Sequence, residues 1–217
     1  MTSSPSQGRF AEARESLVES QLRPEGVIEP ALLAAMGSVG RERFVPEGLA
    51  AIAYSDRAIP LAAGRALMPP AAIAQLIQAL DPRAGSGTLV VGAGSGYSSA
   101  ILAAMGVQVT ALESDPGLAA TARANGIEVV EGPLEAGYQA SAPFDCILID
   151  GAVEEEVPQS LTSQLADGGR LATGVVANRV GRLAVGTRAG SAFGIRVFAD
   201  AAVTVLPGFA RARSFVF

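Results

Sequence analysis

The chain contains no histidine and no tryptophan, one cysteine, and not a single lysine among its 16 positive residues. Each absence removes a class of chemistry. Without His, no side chain ordinarily titrates near neutral pH to serve as a general base. Without Lys there is neither a Schiff-base amine nor a phosphate-loop lysine. Cys146 stands alone, which excludes an intrachain disulfide and a thiolate cage for zinc. It lies in the apolar run 144–149, where a core thiol is the ordinary reading and a nucleophile the sharper one. The net charge is −5 with the acids scattered, so no basic stripe marks a nucleic-acid face. Arginine-only usage beside abundant Ala and Gly fits a biased genome. No span reaches the ~18 apolar residues of a membrane helix, and residues 1–8 lack the basic and apolar regions of a leader. A cytoplasmic protein with no membrane partner is expected; oligomeric state is open, with a monomer the simpler expectation.

What is present is a well-supplied core: 217 residues, 49% apolar and 17% charged, enough for one compact unit. Residues 9–23 place Phe10, Ala13, Leu17, Val18 and Leu22 on one helical face, and Pro24 with Gly26 stops the helix. Residues 30–39 form a second short helix opened by Pro30, and 69–80 a third with its stripe at Ile73, Leu76, Ile77 and Leu80. Between them, 41–61 is punctuated by Pro46, Gly48 and Pro60 and reads as irregular with small helical pieces.

From Thr88 the pattern alternates. Strands are predicted at 88–91, 107–112, 127–130, 144–149 and 170–175, and helices at 97–105, 116–125 and 158–165. A hairpin follows, with strands at 182–188 and 193–205 around Ala189, Gly190 and Ser191. Apolar strands separated by helices indicate a parallel sheet covered on both faces. The expected fold is therefore α/β: a doubly wound, mainly parallel seven-stranded sheet, Rossmann-like, with a helical N-terminal extension and an antiparallel C-terminal hairpin. Residues 1–81 would form the extension and the substrate-side segment, and 82–217 the ligand-binding part. In such sheets ligands sit beyond the carboxyl ends of the strands. That brings the turn 92–96, Glu113, the stretch 132–134 and the stretch 150–153 to one crevice.

The turn Gly92-Ala93-Gly94-Ser95-Gly96-Tyr97 follows a buried strand and opens a helix, and Glu113 closes the next strand. Glycines allow close backbone approach, helix-terminal N–H groups face inward, and the acid can hold ribose hydroxyls. A dinucleotide site wants Gly-x-Gly-x-x-Gly and a second nucleotide-binding half, and neither is present. The tighter spacing favours S-adenosylmethionine over NAD or FAD; a purely structural turn stays open.

Several stretches together resemble the protein-L-isoaspartate O-methyltransferase family over nearly the whole chain. They are Ser20-Gln21-Leu22-Arg23, Arg41-Glu42-Arg43-Phe44-Val45-Pro46, Ala53-Tyr54-Ser55-Asp56, the turn at 92–97, Pro143-Phe144-Asp145, and Gln164-Leu165-Ala166-Asp167-Gly168-Gly169. The resemblance implies methylation of an L-isoaspartyl carboxylate in damaged protein, with S-adenosylmethionine or its product S-adenosylhomocysteine bound. It implies cofactor contacts at Leu67, Gly92, Ala93, Gly94, Gly96, Tyr97, Glu113, Ser114, Pro133, Leu134 and Asp150. Arg65, Ala66 and Met68 would face the peptide or protein substrate, with Met68 at the place of the family's catalytic-site serine.

The chain departs from the family pattern at telling places. Where the family has Gly-Gln-Thr-Ile-Ser-Gln-Pro, this chain has Gly64-Arg65-Ala66-Leu67-Met68-Pro69-Pro70, so both hydroxyls are gone. Val90 stands where the family has an acid, and Gly132-Pro133-Leu134 replaces Gly-Asp-Gly. Three readings follow: an isoaspartyl carboxyl methyltransferase, a silent relative that keeps the fold and serves as an interaction module, or a methyltransferase with another acceptor. A carboxylate acceptor is already ionised, so methylating it needs no base, which suits a chain without His. Arg65 reads either as a bidentate guide for the anionic acceptor or as a solvated loop residue. Glu154, Glu155 and Glu156 either screen the crevice or suit the positive end of the helix at 158–165. Asp150 as a ligand of a catalytic cation would need further acids or amides, of which Asn178 is the obvious one. No metal is expected. Tyr97 should pack beside the turn, and Tyr54 should be a structural hydrogen-bonding residue.

Overall fold

The computed structural model describes residues 5–62 and 64–210. Helix α1 (Pro5–Leu17) runs into a wider π-helical turn, Val18–Leu22, and stops where Val27 N–H donates back to the Leu22 carbonyl at 3.0 Å. Helix α2 (Pro30–Ser38) begins on Pro30, whose missing N–H costs nothing at a first helical position. Short 3-10 pieces, Arg41–Phe44 and Glu47–Ile52, fill the Pro- and Gly-broken stretch. A two-stranded hairpin that the sequence did not predict follows: β1 (Ile59–Pro60) pairs antiparallel with β2 (Ala66–Leu67). Helix α3 (Pro70–Leu80) then packs Ile73, Leu76, Ile77 and Leu80 into the core.

The remaining elements are β3 (Gly87–Val91), α4 (Tyr97–Ala104), β4 (Gln108–Glu113), α5 (Pro116–Ala124), β5 (Val129–Glu131), β6 (Phe144–Glu154), α6 (Gln159–Thr162), β7 (Leu165–Ala177), β8 (Val180–Ala189) and β9 (Ala192–Asp200). They build one seven-stranded sheet in the order β5-β4-β3-β6-β7-β8-β9. The first five strands in that order are parallel and the last two are added antiparallel. Side chains alternate across the sheet: Val90 and Leu148 face α3, α4 and the N-terminal helices, while Leu89, Val91, Ile147 and Ile149 face the other layer. The cluster on the first face also takes in Leu17, Leu22, Leu32 and Met36, so the N-terminal helices share the sheet's own core.

Two predicted bounds need correction. The helix expected over 158–165 is a single turn, because Phe144 N–H already donates to the Gln164 carbonyl at 2.8 Å and Leu165 starts β7. A single turn has little aligned dipole for Glu154, Glu155 and Glu156 to complement. The strand expected over 193–205 ends at Asp200, and the chain then leaves β8. β3 stops at Val91 opposite Ile149, and β7 covers the other edge of β6 at 152–154. The free edge beyond β3 is taken by the tail: Val205 bridges Ala152, and Leu206 N–H donates to the Ala152 carbonyl at 3.0 Å. Among the described residues no helix is long and apolar enough to cross a membrane.

The loop after β5 is pinned by one side chain. Gln164, 2% exposed, accepts from Tyr138 N–H at 2.8 Å and donates to the carbonyls of Ala136 and Ser160 at 2.7 and 2.8 Å. Replacing it by Leu keeps the volume and removes three part-buried hydrogen bonds, at roughly 0.5–1.5 kcal/mol each. Gln164→Leu should lower the urea midpoint of unfolding by about 2–3 kcal/mol in stability. The exposed control Gln139→Ala should stay within about 0.5 kcal/mol.

Candidate functional site

The carboxyl ends of β3, β4 and β6 meet as the topology requires. Gly92 and Gly96 take φ values of +77° and +97°, open to glycine and strained for other residues. At Gly96 a Cβ would lie 2.7 Å from Ile127, so the turn can approach the segment between α5 and β5 closely only with glycine there. Glu113, fully buried at the end of β4, turns its carboxylate onto this bend. One oxygen accepts from Gly94 N–H at 2.7 Å; the other accepts from Ser114 and Asp115 N–H at 2.8 and 3.0 Å.

The predicted cradle is occupied by the chain itself. Arg65, 5% exposed, donates through Nη1 and Nη2 to the two Glu113 oxygens at 2.7 and 3.0 Å, and through Nη2 to the Gly92 carbonyl at 2.9 Å. This corrects both sequence readings of Arg65: it is neither solvated nor turned outward to an acceptor. The β1–β2 hairpin delivers it, closed by Leu61 N–H to the Arg65 carbonyl at 3.0 Å and Arg65 N–H to Ala62 at 2.6 Å. Leu61 from the same hairpin reaches within 3.2 Å of where a Gly94 Cβ would stand. From the tail, Leu206 lies 2.7 Å from a Cβ position at Gly92 and 2.5 Å from one at Gly151.

The inward-facing amides are also engaged. Gly92 and Ala93 N–H both donate to the Leu112 carbonyl, at 2.9 and 3.0 Å, and Gly96 N–H to Ala93 at 2.9 Å. The turn is thus stitched to β4 through its own amides. What remains between Arg65, Ala66, Met68, Gly151 and Leu206 is a void of about 10 Å³. That is room for one water at most. A nucleoside cofactor needs a pocket of roughly 300 Å³ or more. By donor chemistry the carboxylate and glycine turn suit a ribose diol; by space the residues, as folded here, do not fit S-adenosylmethionine.

A second polar layer lies beneath. Arg41, fully buried, donates Nε to the Ala53 carbonyl at 2.7 Å and Nη2 to the Met68 carbonyl at 2.5 Å, and its guanidinium stands 4.7 Å over the Tyr97 ring. Burial lowers its pKa. Tyr97, the first residue of α4, packs edge-on to Phe44 at 5.5 Å, and burial raises its pKa. Asp150 accepts from Ser98 Oγ at 2.5 Å; burial raises its carboxyl to about 6, against the lowering by that hydrogen bond and by Arg65 and Arg41. Tyr54 Oη donates to Glu42 and accepts from Arg41 N–H at 3.1 Å. Cys146 is 5% exposed, and burial pushes its thiol up to about 11, so it lies in the core far from thiolate chemistry.

The other sequence-predicted positions are dispersed around this centre. Leu67 is buried on β2, and Met68 is 4% exposed with its carbonyl held by Arg41. Ser114 and Pro133 lie at the surface on either side of Glu113, while Leu134 is buried under the sheet with Leu112. Gly132 N–H donates to the Glu113 carbonyl at 3.1 Å, which holds that loop against β4. Among the described residues no three His, Cys, Asp or Glu side chains are grouped as a metal-binding set. Leu61, Leu206 and Arg41 were not singled out from sequence as site residues. Arg41 could have been, as an arginine inside a dense motif; Leu206 carries no local signal.

Comparison with known proteins agrees with this architecture. The profile of the family described as protein-L-isoaspartate(D-aspartate) O-methyltransferase matches residues 12–200. A protein-L-isoaspartate O-methyltransferase of Methylorubrum populi is 44% identical over 165 residues, covering 73% of this chain and 77% of its own. One from Methanoregula boonei is 37% identical over 190 residues, covering 84% and 87%. A solved protein-L-isoaspartate O-methyltransferase superposes with TM-score 0.77 at 21% identity, covering 90% of this chain and 66% of that one. A Plasmodium falciparum structure, described as a complex with S-adenosyl-L-homocysteine, gives 0.74 at 22% identity, covering 89% and 97%. At these identities the two structures speak for the fold.

Two outcomes follow from the geometry. Glu113→Ala removes the partner of a buried guanidinium and of three backbone N–H groups and should cost about 3–5 kcal/mol in urea unfolding. Arg65→Ala leaves Glu113 its three N–H donors and should cost roughly half of that or less. For Asp150, the folded carboxyl at about 6 lies above its ordinary value of 3.8, so between these pH values the native state holds more proton than the unfolded chain. Stability therefore falls as pH rises through that window. Relative to Asp150→Asn, the wild type should lose on the order of 2 kcal/mol between pH 4 and 7 in urea melts.

Proposed function

Because the chain belongs to the protein-L-isoaspartate(D-aspartate) O-methyltransferase family, we propose that it transfers a methyl group from S-adenosylmethionine to an L-isoaspartyl carboxylate of damaged protein. The observation that carries the reading is Glu113, buried at the tip of β4 and aimed at the glycine turn in a chain that the family profile matches over residues 12–200. S-adenosyl-L-homocysteine in the Plasmodium falciparum relative supports the choice of cofactor. Cofactor binding on this reading requires Arg65 and Leu206, which line the closed void, to withdraw from the crevice.

On this reading Gly92, Ala93, Gly94, Gly96 and Tyr97 supply the floor of the cofactor place, and Glu113 with Ser114 its ribose side. Pro133 and Leu134 flank the base, with Asp150 and Leu67 on the inner wall. Ala66 and Met68 face the acceptor. Arg41, by holding the Met68 carbonyl at 2.5 Å, sets the height of that segment above α4. The acceptor carboxylate arrives ionised, and the work left to the chain is alignment and exclusion of water. That division of labour suits a chain with no His. The partner is a peptide or protein, not nucleic acid or a membrane, and the protein acts as a cytoplasmic monomer. Residues 1–81 serve the substrate side and 82–217 the cofactor side.

The reading is tested by calorimetric titration with S-adenosyl-L-homocysteine, followed by transfer of labelled methyl to an isoaspartyl peptide and to its aspartyl twin. Saturable binding with transfer to the isoaspartyl peptide alone is expected. Binding without transfer to either would move the activity to another acceptor, and no binding would remove the methyltransferase reading.

A further inference from the structure

The guanidinium in the cofactor's place departs from the family pattern noted above, which has Gln where Arg65 stands. We propose that the β1–β2 hairpin is an internal competitor for the cofactor: Arg65 occupies the ribose position on Glu113, and cofactor binds only after this hairpin swings out. The inference rests on the methyltransferase reading above and deepens it by naming what controls access to the site.

Three observations carry it. First, the pairing is complete: two parallel bonds of 2.7 and 3.0 Å join the guanidinium fork to both carboxylate oxygens, and a third of 2.9 Å ties it to the Gly92 carbonyl. A ribose diol donates to a carboxylate in a similar two-point fashion, so ligand and Arg65 exclude one another by chemistry as well as by volume. Second, the movable part is short. Ile59 and Leu67 seat the two-residue strands in the core, and the tip between them, from which Arg65 reaches Glu113, is closed by the backbone hydrogen bonds at Leu61 and Arg65. Glu113, by contrast, is fixed by three backbone N–H groups and the strand itself, and keeps these partners when Arg65 leaves. Third, the hairpin bounds two spaces. Leu61 lines a cleft of about 250 Å³ with Phe44, Ser95, Asp115, Leu118 and Thr121, and Arg65 lines the void of about 10 Å³ beside Met68.

The competitor lowers the apparent affinity by the fraction of molecules whose hairpin is open. Replacing Arg65 by the family's own residue removes the competing charge while retaining a polar side chain. The experiment is titration of S-adenosyl-L-homocysteine into wild type, Arg65→Gln and Arg65→Ala, with thermal melts to show that each variant is folded. Hydrogen exchange of residues 59–67 in the wild type is read with and without ligand. Both variants should bind at least about tenfold tighter than wild type. In the wild type, exchange at the Leu61 and Arg65 amides should rise on ligand binding, where a merely structural hairpin would be protected. Equal affinity in all three proteins, with exchange unchanged or slowed, would overturn the competitor and leave the methyltransferase reading standing. Absence of binding in wild type and both folded variants would overturn both. A variant that does not fold is set aside for the other, and the exchange arm on wild type decides on its own if neither folds.

Discussion

The pairing of Arg65 with Glu113 is the constraint around which the site is organised. A carboxylate buried at the end of a central strand needs partners, and three backbone N–H groups from the glycine turn and the start of α5 supply part of that need. The guanidinium supplies the rest and neutralises the charge. A buried ion pair is a weak source of net stability, and here it is lopsided: losing Glu113 strands the guanidinium, whereas losing Arg65 leaves the carboxylate its three N–H donors. That asymmetry has a functional side: on the proposed reading, the group that fills the site is the one that can leave when a ligand arrives.

Sheet order explains why so many elements reach this point. β3 is short, so its carboxyl end opens a gap between β4 and the longer β6. The glycine turn fills the floor of the gap, the β1–β2 hairpin covers it from the N-terminal side, and the tail at 204–206 pairs along the free edge of β6. Arg41 then ties the N-terminal segment to α4 and to Met68, stacking on Tyr97 in a layer with Asp150 and Ser98. The cradle is thus walled by pieces distant in sequence, and two of them are narrow enough to move.

The legible part of this design was the periodic part. Residues 88–91 and 144–149 are mainly apolar runs, which a parallel sheet covered on both faces requires, and they lie within observed strands, as does 170–175. The turn at 92–96 was legible because only glycine takes φ of +77° and +97° at Gly92 and Gly96 without strain. The hairpin at 59–67 was not: strands of two residues have no period to read, and Pro60 and Gly64 point to a loop. The helix over 158–165 failed for a different reason. Its local pattern is helical, but the sheet captures residue 165 and shortens it to one turn.

The sequence by itself determined the alternation of strands and helices, the glycine bend, the acid that closes β4, and the family to which these belong. These are local properties: hydrophobic period, backbone freedom at glycine, and residue spacing within a motif. Whether the acid would be free to receive a ligand was decided only in three dimensions. Arg65 lies 48 positions from Glu113, and Leu206 follows a hairpin that could have carried it elsewhere. A charge finds its partner, and a void its filler, through the packing of remote segments, and no window of the chain contains that information.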